Sequence, residues 1–360
     1  MPPPARMTPV RLLVVALLAA ACTGPAGGAE PEPVPTRPPV ALTTTTTTTP
    51  PPPTAPPRPV TLAFGGDVHF EGVLATRLAD GPAAVLDAIT PVLRSADLAM
   101  VNLETAVTTG GTPAAKEFVF RAPPSAFTAL RAAGIDVATM ANNHGMDYGE
   151  RGLRDSLAAA VAAGFPVVGI GLDAAEALRA RTFTVRDQRV AVLGATQVLD
   201  SSLAAAWTAG EGKPGLASAV EPGRLLAAVR LADRAADTVV VFLHWGQERN
   251  PCPLPRQRQL AADLAEAGAD VVVGSHAHVL LGGGMLGGTY VHYGLGNFVF
   301  YSGGPSGVLQ VTVRDGRVER ARWRPATIVG GTPRPLTGAA AGQAVRSWER
   351  LRGCTGLDAR

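Results

Sequence analysis

At 360 residues the chain is long enough for one large or two ordinary domains with a sizeable core, and its formal net charge is only +3. Arg6 and Arg11 lie in a segment expected to be removed, and the +3 less those two leaves +1 for the mature chain. A balance that close to neutral excludes a charge-driven nucleic-acid binder.

Residues 1–22 have the layout of a signal peptide: Arg6 and Arg11, then the apolar run Leu12 to Ala21, then Cys22. Ten helical residues rise about 15 Å, half of a bilayer core, so the run is a poor membrane span. Ala19, Ala20 and Ala21 before Cys22 resemble a bacterial lipobox, with Leu18 one place earlier than usual. Lipidation of Cys22 on the outer face of the cell membrane is expected, with plain secretion as the alternative. Residues 23–59 carry seven consecutive threonines from Thr43, followed by Pro50 to Pro53, and cannot bury a core. They read as an extended stalk with a reach on the order of 100 Å. In an oxidising compartment Cys252 and Cys354 either form one disulfide or remain as two buried thiols.

The folded region starts at Val60. Strands are expected at Val60 to Gly66, Leu98 to Glu104, Val137 to Ala141, Val167 to Ile170 and Val190 to Ala195. Helical patterns cover Val73 to Ser95, Pro124 to Gly134 and Tyr148 to Gly164. Residues 197–223 read as a loop flanking the site. Helix Arg224 to Ala236, strand Thr238 to His244, helix Pro255 to Gly268 and the strand after Asp270 continue the alternation. From Tyr290 only strands follow: Tyr290 to Phe300, then Val308 to Arg314 and Arg317 to Trp323 joined at Asp315-Gly316. Gly338 to Leu351 is a terminal helix or a frayed tail. The domain reading is a signal peptide at 1–22, a stalk at 23–59, one α/β domain at 60–330 and a tail or helix at 331–360.

Five strand ends carry polar groups in the same relative place: Asp67 with His69, Glu104, Asn143 with His144, His244, and His276 with His278. Sheets of this class place their chemistry at such ends. A pair of metal ions needs this inventory: a bridging carboxylate, a second carboxylate to offset charge, several imidazoles and open positions for water. His292 lies in a separate strand and reads as a core or supporting histidine.

The phrases GGDVHFEG, NLETAV, ANNHGMDYG, LHWGQE, GSHAHV and YGLGNFVF together resemble the CapA family of poly-gamma-glutamate capsule proteins, a branch of the calcineurin-like metallophosphatase superfamily. The resemblance spans about Val60 to Phe300. It implies two central sheets sandwiched between helices. It also implies two divalent ions, manganese, iron or zinc, one held by Asp67, His69, Glu104 and His278 and the other by Glu104, Asn143, His244 and His276. His144 would be the general acid and Asp147 its orienting partner, with Glu248 and Asn297 as substrate contacts. This chain departs from the superfamily pattern in bridging with Glu104 rather than an aspartate, and has Ala277 between the paired histidines; His69 departs from the family, whose residue there is often apolar.

The function expected from the resemblance is synthesis, export or anchoring of an anionic capsule polymer, by metal-assisted hydrolysis or transfer on a phosphoester or amide, with a membrane-bound synthase as partner. Two other readings stand beside it: a non-catalytic accessory factor that binds polymer or synthase, and a secreted metallophosphoesterase. Retention of His144 and Asp147 favours catalysis, since a pure binder needs no leaving-group acid.

Overall fold

The computed structural model describes residues 57–359. The expected signal segment, Cys22 and the stalk up to residue 56 lie outside the described residues. Two mixed β-sheets face one another. The first contains β1 (Val60–Val68), β2 (Leu98–Leu103), β3 (Val137–Thr139) and β4 (Val167–Val168) in parallel. The second is built around β5 (Arg181–Val185), β6 (Gln188–Thr196), β7 (Thr238–His244), β8 (Val271–Ser275), β9 (Gly283–Leu286) and β10 (Thr289–His292), in the order β9-β10-β8-β7-β6-β5. The chain then returns to the first sheet as β11 (Asn297–Val299), β12 (Gly304–Arg314), β13 (Arg317–Val329) and β14 (Thr332–Pro335). That sheet runs β14-β13-β12-β1-β2-β3-β4, with β11 also paired to β1.

The central strands are apolar on both faces because both faces are covered. From β7, Val240 and Phe242 meet Phe64 and Met100 of the first sheet between the layers, whereas Val239, Val241 and Leu243 face outward. Full burial of a side chain such as Phe242 stabilises by about 1.5–3 kcal/mol. Helices α1 (Val73–Asp80), α2 (Ser125–Ala132) and α3 (Gly149–Ala163) cover the outer face of the first sheet. Helices α4 (Gly223–Asp233) and α5 (Pro255–Glu266) cover the second. The result is the α/β sandwich of two central sheets flanked by helices. A last helix, α6 (Gly338–Arg350), lays Trp348 on Trp323 of β13, and Cys354 just beyond it is bonded to Cys252. Among the described residues no helix is long and apolar enough to cross a membrane.

Four local expectations are corrected. The single strand Tyr290 to Phe300 is two strands in different sheets, because the chain turns at Gly294, Leu295 and Gly296, the last at φ 64°. The long helix from Val73 breaks at Gly81-Pro82 into α1 and short turns, since proline has no N–H to continue the ladder. Residues 197–223 hold a short helix, Ala204–Trp207, and a short strand, Gly215–Leu216. Strand β5 is unforeseen; it forms a hairpin with β6 through Arg186 and Asp187, both at positive φ, where turn chemistry normally supplies Gly or Asn.

Candidate metal centre

Asp67 stands near the end of β1 with no exposure to solvent. The Gly65-Gly66 pair before it has a steric cause: a Cβ on Gly66 would fall 1.8 Å from the Gly296 carbonyl oxygen, and that carbonyl accepts the Asp67 N–H at 2.9 Å. The Asp67 carboxylate accepts from Asn102 Nδ2 at 2.8 Å and from the His276 N–H at 3.1 Å. Burial works against its ionisation. The hydrogen bond and charge of His278, with donors from Asn102 and Ser275, outweigh that and hold the carboxyl below its ordinary range.

Glu104 follows β2 and is fully buried, and neither of its carboxylate oxygens has a hydrogen-bond partner among the described residues. Burial and the neighbouring Asp67 charge push it well above the ordinary carboxyl value. His244, at the end of β7, brings Nε2 to 2.7 Å from Asn143 Oδ1 and 3.4 Å from Glu104 Oε1. A proton or a cation at that nitrogen is needed to reconcile two oxygens so close.

His276 and His278 follow β8 at φ 95° and 57°, a region that β-carbon-bearing residues rarely enter. The turn is held by the Arg249 N–H on the Ala277 carbonyl at 2.8 Å and by Asp67 on the His276 N–H. His278 Nδ1 donates to Asn297 Oδ1 at 2.8 Å, which leaves Nε2 free. Against the effect of burial, Glu104 and Asp67 raise the His278 imidazole to about 10, whereas burial lowers His276 to about 4.

Three overlapping groups of ligand atoms result, each within 4.8 Å: Asp67, Glu104 and His278; Glu104, His244 and His276; Glu248, His276 and His278. Glu104 belongs to two of them. His69 belongs to none. Its Nδ1 accepts the Glu71 N–H at 3.0 Å, so the neutral ring carries its proton on Nε2, which is buried without a partner among the described residues. The ring lies against Phe120 and Phe300, and burial keeps it neutral, near 3.

Opposite these donors, His144 Nδ1 meets Asp147 Oδ2 at 2.5 Å, and the His144 ring stacks on Phe120 at 4.0 Å. Asp147 also accepts the Phe120 N–H at 2.6 Å. Burial lowers the His144 imidazole, and Asp147 partly restores it. Both sets open onto a cleft of about 920 Å³ whose walls include His144, His278, Asn297, Glu248 and Tyr301.

Residues 61–302 match the family described as bacterial capsule synthesis protein PGA_cap. The chain belongs to this capsule synthesis family. The family lies within the metallophosphatase-like superfamily. The chain is 32% identical over 288 residues to the PGA biosynthesis protein CapA of Bacillus subtilis, covering 77% of this chain and 74% of that protein. It is 34% identical over 263 residues to the capsule biosynthesis protein CapA of Bacillus anthracis, covering 70% and 63%. A probable polyglutamine synthesis accessory protein of Mycobacterium tuberculosis is 34% identical over 189 residues, 51% of this chain and 50% of its own. Among solved structures, a hypothetical protein from Thermus thermophilus aligns with TM-score 0.45 and 16% identity over 74% of this chain and 98% of that one. A 5'-nucleotidase from Candida albicans aligns with TM-score 0.45 and 11% identity over 81% and 58%. Scores of that size carry no argument, and the sandwich is established by its own strand order.

The donor set of this capsule synthesis protein suits a divalent metal site. Hard carboxylates and imidazoles converge, and among the described residues the paired oxygens of Glu104 lack the donors that a buried carboxylate requires. Three supporting residues escaped the sequence reading. Asn102 takes a hydrogen bond from Asn142 Nδ2 at 2.9 Å and presents its own amide to Asp67 and His244. Ser275 lies 3.1 Å from His244 Nδ1. Lys116, nearly buried, bonds the Asn143 carbonyl at 2.5 Å and pairs with Asp147 at 3.0 Å and Asp200 at 3.5 Å. Asn102 was readable as part of the NLE phrase; Lys116 lies in an irregular stretch with no periodic signal.

Proposed function

We propose that this chain acts in the synthesis, export or anchoring of an anionic capsule polymer, of the poly-gamma-glutamate kind that its relatives' names indicate, by hydrolysis or transfer at a two-metal centre. The observation that carries the reading is Glu104, a buried carboxylate that has no hydrogen-bond partner among the described residues and is common to two ligand groups, in a protein that also presents a buried His144–Asp147 pair to the cleft.

In this reading Asp67, Glu104 and His278 hold one ion, and Glu104, Asn143, His244 and His276 hold the other. Bound there, divalent ions supply Lewis-acid polarisation of a phosphoryl or acyl group and activation of water. Asp147 accepts the Nδ1 proton of His144 and stabilises its cation, so that Nε2 delivers a proton to the leaving group. His69 offers its Nε2 proton as a donor rather than a lone pair as a ligand. Asn297 fixes the His278 ring and reaches the cleft wall, and exposed Glu248 lines the mouth. The protein would work at the outer face of the cell membrane, anchored through a lipid on Cys22 and beside a membrane-bound synthase.

The test is elemental analysis of the full chain and of Glu104→Gln and His276→Ala, with hydrolysis of polymer and of aryl phosphate esters measured alongside. Two metals per chain, reduced in both variants, together with His144→Ala that keeps metal but loses turnover, is the expected result. A chain that retains no divalent metal after supply of manganese, iron and zinc would overturn the mechanism.

A further inference from the structure

The charge of the chain is unevenly placed. Residues 314–360 contain ten arginines and no lysine against Asp315, Glu319, Glu349 and Asp358, a net +6, so the preceding 313 residues carry −3. Much of the excess falls on β13. Arg320, Arg322 and Arg324 alternate along it and so leave the same face, spaced roughly 6.7 Å apart. Arg320 and Arg322 are exposed and Arg324 is half-buried. Among the described residues none of the three has a carboxylate partner; the nearby ion pair joins Arg314 to Glu319.

This part of β13 is also a free edge. Strand β14 pairs with Ala326–Val329 and the Leu336 N–H takes the Pro325 carbonyl, so among the described residues the stretch from Arg317 to Arg324 has no strand partner on that side. Helix α6 crosses beyond it, and the space between forms a groove of about 560 Å³ walled by the three arginines with Leu336, Val345 and Trp348. The groove shares no lining residue with the metal cleft. Charge on an edge strand commonly serves to block pairing with other chains. That purpose needs one or two charges of either sign. Glu349 also lines the groove but, among the described residues, forms no ion pair with any of the three; guanidiniums in a row repel one another, and an anion seated among them relieves the repulsion.

We propose that this groove is a second binding site, remote from the metal cleft, for an extended polycarboxylate chain. Guanidinium forks take carboxylates in bidentate pairs, and a linear array of them fits a linear polyanion. A lipid surface would be met by cations spread over a convex face, whereas these line a recess. The free edge also offers backbone groups to an extended amide chain. The site would hold the polymer while the cleft acts on it. The proposal rests on the polymer reading above, but not on hydrolysis.

The experiment is binding of labelled poly-gamma-glutamate oligomers to the full chain at several salt concentrations, beside R320Q/R322Q/R324Q and R320K/R322K/R324K. The Gln variant is expected to bind roughly ten-fold or more weakly with a flatter salt dependence, and the Lys variant to recover part of the affinity. The metal content and melting temperature of the Gln variant should match those of the parent. Equal polymer binding by parent and Gln variant would overturn the proposal, as would binding of the parent to anionic vesicles but not to polymer. If the parent loads metal and turns over polymer while the Gln variant binds like the parent, this site fails and the function stands. If the parent neither binds polymer nor holds metal, both fail.

Discussion

His292 offers a test of the core that needs no substrate. It lies fully buried in β10, with Nε2 accepting the Trp348 indole N–H at 2.9 Å and the ring stacked near Trp348 and Trp323. Burial holds its imidazole down at about 3, against 6.5 when unfolded. As pH falls through 6.5 the unfolded chain takes up this proton and the native chain does not, so stability is full above 6.5 and declines toward 3. The limiting slope is about 1.4 kcal/mol per pH unit, and between pH 7 and pH 5 the loss from this one group is about 2 kcal/mol. The figure holds for any native value below about 4. Denaturant midpoints at both pH values for the parent and His292→Phe isolate it. Phenylalanine keeps a flat ring in the stack, the histidines of the cleft titrate in both proteins, and the orphaned Trp348 N–H costs the same at each pH. The parent should lose about 2 kcal/mol more than the variant on going to pH 5. Parallel losses, within about 0.5 kcal/mol, would show that His292 is solvated or charged in the native fold and would refute the argument.

Three further outcomes are expected. Cys354→Ser opens a loop spanning 102 residues. Chain entropy alone assigns such a loop about 4.7 kcal/mol, but Arg258 also holds the Cys354 and Thr355 carbonyls, so a loss of about 2–4 kcal/mol by chemical denaturation is expected; an unchanged midpoint would contradict it. Asn102→Leu leaves Asp67 short of a donor and Asn142 short of an acceptor, and should cost about 1–3 kcal/mol while weakening metal retention. A thermal melt and a metal assay that both match the parent would remove Asn102 from the network. His69→Gln should keep its metal, because the ring uses Nδ1 on the Glu71 N–H and holds a proton on Nε2; loss of metal would make His69 a ligand after all.

The parts legible in the sequence are those governed by strong local rules. Buried parallel strands such as β7 and β8 read as unbroken Val, Phe and Leu runs, and the Asp315-Gly316 turn signals its hairpin with φ 50° and 72°. The polar residues at strand ends could be placed because a strand that stops in a buried sheet delivers its next side chains to one rim. What could not be read depends on partners distant in the chain. The split of Tyr290 to Phe300 between two sheets is decided by the close approach of Gly296 to Gly66, 230 residues earlier. The tautomer of His69 is set by one backbone N–H two residues on, a matter of turn geometry rather than composition. Lys116 becomes part of the site through its contacts with Asp147, Asp200 and the Asn143 carbonyl, none of which its neighbours in sequence announce.

The donors of the cleft are divided between the layers: Asp67, Glu104 and Asn143 ride on the first sheet, and His244, His276 and His278 on the second. The spacing between the two halves is therefore set by the thickness of the core that separates the sheets. A truncation deep in that core, such as Phe242→Ala, would act at the rim as a change of calibre, letting the layers settle and altering which ion the opening grips best. Any ionic selectivity at the proposed centre would thereby be written partly in valine and phenylalanine, in residues away from the donor atoms.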